Sequence, residues 1–308
     1  MPELEDIMNI ESFFDKRTWT WSYVVYDTAT KDAVVIDPVL DYEPASSRTW
    51  TESVDQIVEF LQKQELNLRL IVETHAHADH LSGSQMIREK FPAAKLGIGE
   101  RITEVQAIFK DVFSLPEDFP TDGRQFDVLL KDREVYQAGS LAFEVMNTPG
   151  HTPACVCLKF GNDVFTGDAI FQPDIGTGRC DFPGGSAVDL YNSISRRLYG
   201  LPDDTVLHVG HDYPPQGRSE RATTTVAEQK ASNVQLRAGT TEKEFVQFRE
   251  ARDATLSAPR LLFQSVQVNV DAGALPKPEA NSRRYLKIPI NAFRPDGDGE
   301  IAEQDVKK

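Results

Sequence analysis

The segment Thr74-His75-Ala76-His77-Ala78-Asp79-His80 constrains this chain more than any other, because three of its six histidines fall within six residues with an aspartate among them. Imidazole nitrogens and a carboxylate oxygen are metal donors, so one loop offers up to four of them. Ala76 and Ala78 are small and leave the donors room. The apolar run Leu68-Arg69-Leu70-Ile71-Val72 reads as a buried strand ending at this loop, and Ser84 to Lys90 reads as a helix stopped near Pro92. A loop rooted on a rigid strand lets its side chains converge above the strand end. A polar turn whose His and Asp merely cap the next helix would explain the position but not the clustering.

Three further residues share that setting. His151 lies in Thr148-Pro149-Gly150-His151-Thr152-Pro153, where two prolines and a glycine pin a loop between two strands. Asp168 follows the strand Val164-Phe165-Thr166 in Thr166-Gly167-Asp168-Ala169, and His211 follows another strand in His208-Val209-Gly210-His211-Asp212-Tyr213. Each taken singly reads as a surface or capping residue; together, at strand ends behind an HxHxDH loop, they read as ligands. His208 falls inside its strand and reads as a hydrogen-bonded structural histidine.

The rest of the chain alternates short β-rich runs with helical stretches, which predicts a layered α/β or α+β fold. Strands are expected at 21–26, 33–37, 68–72, 128–130, 141–146, 155–160, 164–166 and 205–209. Helices are expected at 54–61, 84–90, 102–112, 189–198, 222–231 and 242–251, with polar connections at 41–52 and 115–123. Residues 1–293 are expected to form one domain, and the acidic tail 294–308 to be disordered. Forty-eight acidic against 33 basic residues leave a net charge of -15, which repels nucleic acid. No apolar run approaches membrane-spanning length, and the acidic N-terminus fits neither a secretory signal nor a transit peptide. Cys155, Cys157 and Cys180 have no disulfide-scaffold spacing, so a reduced, cytoplasmic protein is expected.

The order THxHxDH, PGHT, TGDA and GHDY resembles the metallo-β-lactamase superfamily, over roughly the first 215 residues. That resemblance implies an αββα sandwich with metal ligands on loops at one edge of two packed sheets. Within the superfamily, Ile36-Asp37-Pro38-Val39, Pro149-Gly150-His151-Thr152-Pro153, Gly178-Arg179-Cys180-Asp181-Phe182, His211-Asp212-Tyr213 and Leu275-Pro276-Lys277-Pro278 look like the persulfide dioxygenases, the group of the ethylmalonic encephalopathy protein. The chain departs from that pattern at Cys180, where a Thr would be familiar, and in longer connections at 41–52 and 104–124.

The resemblance implies one iron(II) per chain on His75, His151 and Asp168. Two histidines and one carboxylate leave open positions for a sulfur and for dioxygen. His77, Asp79, His80 and His211 would be outer-shell residues, or ligands of a second metal as in dinuclear relatives, and His77 would contribute to catalysis. The implied reaction oxidises glutathione persulfide, or a related low-molecular-weight thiol persulfide, with dioxygen and water to sulfite and glutathione. Arg179 is the first candidate for a substrate carboxylate, Tyr213 for a catalytic or substrate-directed hydrogen bond, and Lys277, Arg283 and Arg284 are weaker candidates. The alternative is a glyoxalase II-like thioester hydrolase with a dinuclear site of zinc or iron, and zinc, one or two per chain, is the alternative metal. A scaffold held by tightly bound zinc is a third reading. A homodimer is compatible with each of them.

Overall fold

The computed structural model describes residues 8–215, 217–290 and 292; the tail expected to be disordered lies outside them. The first sheet runs in the order β1 (Met8–Asp15), β2 (Thr20–Asp27), β3 (Asp32–Ile36), β6 (Asn67–Glu73), β8 (Lys95–Gly99) and β9 (Val128–Leu130). Its first three strands pair antiparallel and the rest parallel. The second sheet runs β10 (Val135–Ala138), β11 (Leu141–Asn147), β12 (Val156–Phe160), β13 (Asp163–Phe165), β14 (Val206–His208) and β15 (Thr223–Thr225), with β13 and β14 parallel. A small third sheet joins β4 (Val39–Glu43) to β5 (Arg48–Trp50) and to β7 (Leu81–Ser82).

Strand side chains alternate between faces, and here both faces of the first sheet are buried. Val34 and Ile36 of β3 and Leu70 and Val72 of β6 meet Phe143, Val145, Leu158, Phe160 and Phe165 of the second sheet. Their neighbours Val35 and Ile71 point the other way. They face α1 (Glu52–Lys63), α2 (Ser84–Lys90), α3 (Ile102–Val112) and α7 (Leu262–Asn269), which contribute Ile57, Ile87, Phe109 and Val266 to that core. Fully burying one such side chain stabilises by about 1.5–3 kcal/mol. In α1 the buried Val54, Ile57, Val58 and Leu61 recur at helical spacing, with Glu52 and Asp55 in the first turn and Lys63 in the last to suit the helix dipole. The second sheet's outer face is covered by α4 (Ala187–Asn192), α5 (Val226–Ser232) and α6 (Glu242–Asp253), whose Leu190, Val226 and Phe245 pack on Cys157, Val164 and Leu207. This is the expected αββα sandwich.

Local expectations shift in physically readable ways. The helix expected at 189–198 starts earlier, at Ala187, where the Ser186 side chain accepts the Asp189 N–H, and its second half, Ser193–Leu198, is π-helical. The helix expected at 222–231 begins at Val226 instead, because the β-branched Thr223–Thr225 extend along β14 and Thr225 caps α5 in a capping box with Glu228. The connection 41–52 contains part of β4, β5 and the hairpin between them. Strands β1, β8 and β10 and helix α7 were not expected. Among the described helices, none is long and apolar enough to cross a membrane.

Four strand ends share one edge of the sandwich and position the candidate donors. The HxHxDH loop leaves β6, His151 lies between β11 and β12, Asp168 follows β13 and His211 follows β14. Each sheet therefore contributes.

Candidate metal centre

His75, His151 and Asp168 bring one donor atom each within 4.8 Å of one another, and all three are buried. Asp168 Oδ2 is 3.9 Å from His75 Nε2 and 3.6 Å from His151 Nε2. The hydrogen bonds behind the rings determine their tautomers. His151 Nδ1 lies 2.7 Å from the Arg179 carbonyl, which accepts only, so that nitrogen carries the proton and Nε2 keeps its lone pair. The Thr74 hydroxyl donates to Asp37 Oδ2 at 2.7 Å and therefore accepts from His75 Nδ1 at 3.0 Å, leaving His75 Nε2 unprotonated as well. Burial, then the neighbouring His77 and His151, hold His75 well below the usual histidine range, so it stays neutral. Two lone pairs thus face a carboxylate, and His75 Nε2 and Asp168 Oδ1 are buried without hydrogen-bond partners. A cation between them satisfies all three groups, so the residues fit a divalent metal.

Gly178 brings the backbone onto this centre, since a Cβ there would stand 2.1 Å from the Asp168 carbonyl oxygen. Gly150, at φ +146°, lets the His151 loop lie against the backbone of Leu190, which a Cβ would meet at 2.4 Å.

His77 is held from behind. Its Nε2 is 3.0 Å from Asp37 Oδ1 and 3.3 Å from Glu73 Oε2, while its Nδ1 has no hydrogen-bond partner. Burial opposes a charge on His77, yet the Asp37 and Glu73 carboxylates outweigh it and raise its pKa well above the usual range. Asp37 also accepts from the Thr74 N–H at 2.7 Å, and against its own burial His77 keeps its carboxyl below the usual range. Glu73 Oε1 accepts from the hydroxyls of Ser82 and Ser84.

Asp79, His80 and His211 form a second grouping beside the first. His211 Nε2 stands 3.3 Å from Asp79 Oδ2 and 3.4 Å from Asp168 Oδ1, and His80 Nδ1 is 3.1 Å from Asp79 Oδ2. Burial would raise the Asp79 pKa, but His211 and His80 hold it well below the usual range. In the same way Asp168 and Asp79 raise His211 against its burial. His77, Asp79 and His80 also bring donor atoms within 4.8 Å, as do Asp37, Glu73 and His77. His208 is paired with Asp163 at 2.7 Å and stacked on Phe165, a structural setting.

A cavity of about 560 Å³ opens over Asp79, His151 and Asp168. Tyr213 borders it, 42% exposed, stacked on His211 and edge-on to Phe171. Crowding around its hydroxyl, then Asp79 and Asp168, raise its pKa well above 10 and keep it a donor. Arg179 also borders the cavity, but its fork is engaged by Asp181 in two bonds of 2.6 Å and by the Ser257 carbonyl at 2.8 Å. A neighbouring cavity of about 650 Å³ lies beyond it, sharing Ala78, His151, Arg179 and Pro259 with the first. Lys277, Arg283 and Arg284 border neither cavity. The structure adds Arg252 and Arg260 at the wall, along with Tyr42, Glu43 and Pro44 from the connection singled out in the sequence. Among the described residues the Arg252 side chain has no ion-pair partner, and Arg260 meets Glu43 at 3.7 Å. The three cysteines are buried and unpaired; burial pushes Cys155 and Cys157 up to about 12, and Cys180 higher still.

Comparison with known proteins agrees with this fold. The metallo-beta-lactamase superfamily profile matches residues 19–211. The chain is 45% identical to a Dictyostelium discoideum protein named glyoxylase B2 over 286 residues, covering 92% of this chain and 98% of the other. It is 31% identical to the human mitochondrial persulfide dioxygenase ETHE1 over 208 residues, covering 66% of this chain and 68% of that one. The crystal structure of ETHE1 from Myxococcus xanthus superposes with a TM-score of 0.69 at 32% identity, covering 87% of this chain and all of that one. With the profile covering five of the six strands in each large sheet and all four donor loops, this chain is an enzyme of the metallo-β-lactamase superfamily.

Proposed function

We propose that this enzyme is a persulfide dioxygenase, converting glutathione persulfide, dioxygen and water to glutathione and sulfite with release of two protons. The observation that carries the reading is the grouping of His75, His151 and Asp168 under the cavity, while His77 is committed to Asp37 and Glu73 behind it. When bound there, iron(II) would supply the open positions and the redox change that dioxygen chemistry requires. The chain's own residues set the conditions. Thr74 and the Arg179 carbonyl hold the two imidazoles in the binding tautomer, and Phe171, Ile175, Leu256 and Leu261 wall the cavity against stray water. The protonated Tyr213 hydroxyl offers a hydrogen bond at the rim. Arg252 and Arg260 offer cationic groups to a thiol that carries carboxylates, which a protein of charge -15 otherwise repels. The volume suits a tripeptide-sized ligand. Likeness to the two ETHE1 proteins supports the same reading.

A second reading, thioester hydrolysis at a dinuclear site, is favoured by the additional grouping of His77, Asp79 and His80 and by the name of the glyoxylase relative. Anaerobic reconstitution with iron(II), followed by oxygen uptake and sulfite assays, separates the two. The dioxygenase reading expects about one iron per chain and oxygen uptake that depends on persulfide. A zinc form that cleaves S-lactoylglutathione rapidly, beside an iron form that leaves persulfide untouched, would replace it with the hydrolase.

A further inference from the structure

We propose that Asn269, at the end of α7, is a positioning residue of the metal centre that holds the backbone of the HxHxDH turn from outside the superfamily profile. The inference rests on the reading of His75, His151 and Asp168 as metal ligands, but on neither choice of reaction. Asn269 is buried, at 4% exposure. Its Nδ2 donates to the carbonyls of His77 at 2.8 Å and of His80 at 2.9 Å, and its Oδ1 accepts the Ser82 N–H at 2.8 Å. A flipped amide would set oxygen against two carbonyls and NH2 against an N–H, so the three bonds specify its orientation.

The turn needs such a partner. Among the described residues, no backbone-to-backbone hydrogen bond involves His75 to His80, although nearly all of this stretch is buried. Buried carbonyls require donor partners, and here one side-chain amide serves two of them. Both carbonyls converge on a single NH2 group, which sets the path of the chain through Ala78 and Asp79 and with it the direction of the donors on either side. Asn269 is itself held in place, since Val266 and Val270 of the same segment sit in the core against the first sheet and Val268 packs on Leu40 and Leu81. It lies past residue 211, where the superfamily profile stops, so this chain supplies the contact from its own C-terminal part. Asn269 touches no reacting atom; it acts through the loop.

Full-length wild type and the variants Asn269→Ala, Asn269→Ser, Val266→Ala and His75→Ala would be compared by cobalt(II) affinity in chelator competition, by the visible spectrum of the cobalt form and by thermal unfolding. Loss of an outer-shell partner typically weakens metal affinity 10–100-fold, and about that loss is expected for Asn269→Ala, with altered cobalt bands. Asn269→Ser, whose shorter hydroxyl reaches at most one carbonyl, is expected in between and decides the matter if the alanine variant does not fold. Val266→Ala removes packing in the same helix and should lower the unfolding temperature while leaving affinity and spectrum nearly unchanged. Wild-type affinity and spectrum in the folded Asn269 variants would overturn the inference, as would losses matched by Val266→Ala. If His75→Ala also binds cobalt like wild type, the ligand assignment itself fails; if His75→Ala loses the metal while the Asn269 variants keep it, the Asn269 role alone fails.

Discussion

Replacing Asp37 with Asn changes one atom and tests the support behind the metal loop. Asp37 is 3% exposed, at φ 49°, a left-handed conformation that Asn tolerates as well as Asp, so the backbone need not move. The carboxylate accepts from the Thr74 N–H, the Thr74 hydroxyl and His77 Nε2. An Asn oxygen serves at most two of these donors, and its NH2 then confronts the third. Breaking a buried ion pair from one side costs about 3–5 kcal/mol. Because Glu73 remains 3.3 Å from His77 and still neutralises it, a smaller cost, ~2–3 kcal/mol, is expected. At this chain length that lowers the unfolding temperature of the metal-free protein by roughly 3–5 °C. Freed from Asp37, the Thr74 hydroxyl no longer fixes the proton on His75 Nδ1, so metal affinity should fall as well, by about 10-fold or more. Calorimetry of the metal-free protein and chelator competition read the two effects separately. Unfolding within a degree of wild type together with unchanged affinity would refute the reasoning.

Alanine at His75, His151 or Asp168 should abolish stoichiometric metal binding, whereas His77→Ala should retain part of it, as elemental analysis after reconstitution would show; full metal in the Asp168 variant would remove it from the ligand set. Gly178→Ala puts a Cβ 2.1 Å from the Asp168 carbonyl and should destabilise by about 1–3 kcal/mol while weakening the metal, measured by denaturant titration with and without it. Arg252→Ala combined with Arg260→Ala should raise KM for an anionic thiol substrate several-fold with kcat nearly unchanged, an effect that fades with added salt; equal loss in kcat would point to a different role.

The donor set was legible because its chemistry is written in rare residues at strand ends: six histidines are few, and three on one loop announce themselves. The sandwich was legible because its strands are, since runs such as Leu68–Val72 and Val156–Phe160 are apolar but for one basic residue each, Arg69 and Lys159, and are bounded by turns. Asn269 was not legible, because in a short helix whose residues are half polar one more polar side chain looks like any solvent-facing position until the helix is docked. Glu73 closes a strand and reads as an ordinary boundary residue; its partners Ser82 and Ser84 meet it only across the folded turn. Arg179 shows the opposite failure. Its position beside the metal loop was readable, but Asp181 two residues later takes its fork, a local competition that an Arg-x-Asp spacing could have flagged. Strand β8 is hidden in the sequence because Gly97 and Gly99 dilute its apolar run, although those glycines let the strand pack closely, Gly99 within 2.6 Å of the Ala154 carbonyl for an added Cβ.

The donors come from both layers of the sandwich, His75 from the end of β6 and His151 and Asp168 from the loops of the second sheet. An ion held by all three is a noncovalent crosslink between halves of the chain that meet only once the sheets have docked. The donor set therefore does not exist in the unfolded chain, and ligand binding and folding become one equilibrium. At a free metal concentration 100 times the dissociation constant, that linkage adds about 2.7 kcal/mol to the folded state, comparable with burying one large core side chain. Chelation would then do more than silence the site: it would let the two layers separate more readily along the edge that carries it, and protease sensitivity of the metal-free protein should appear first in those loops.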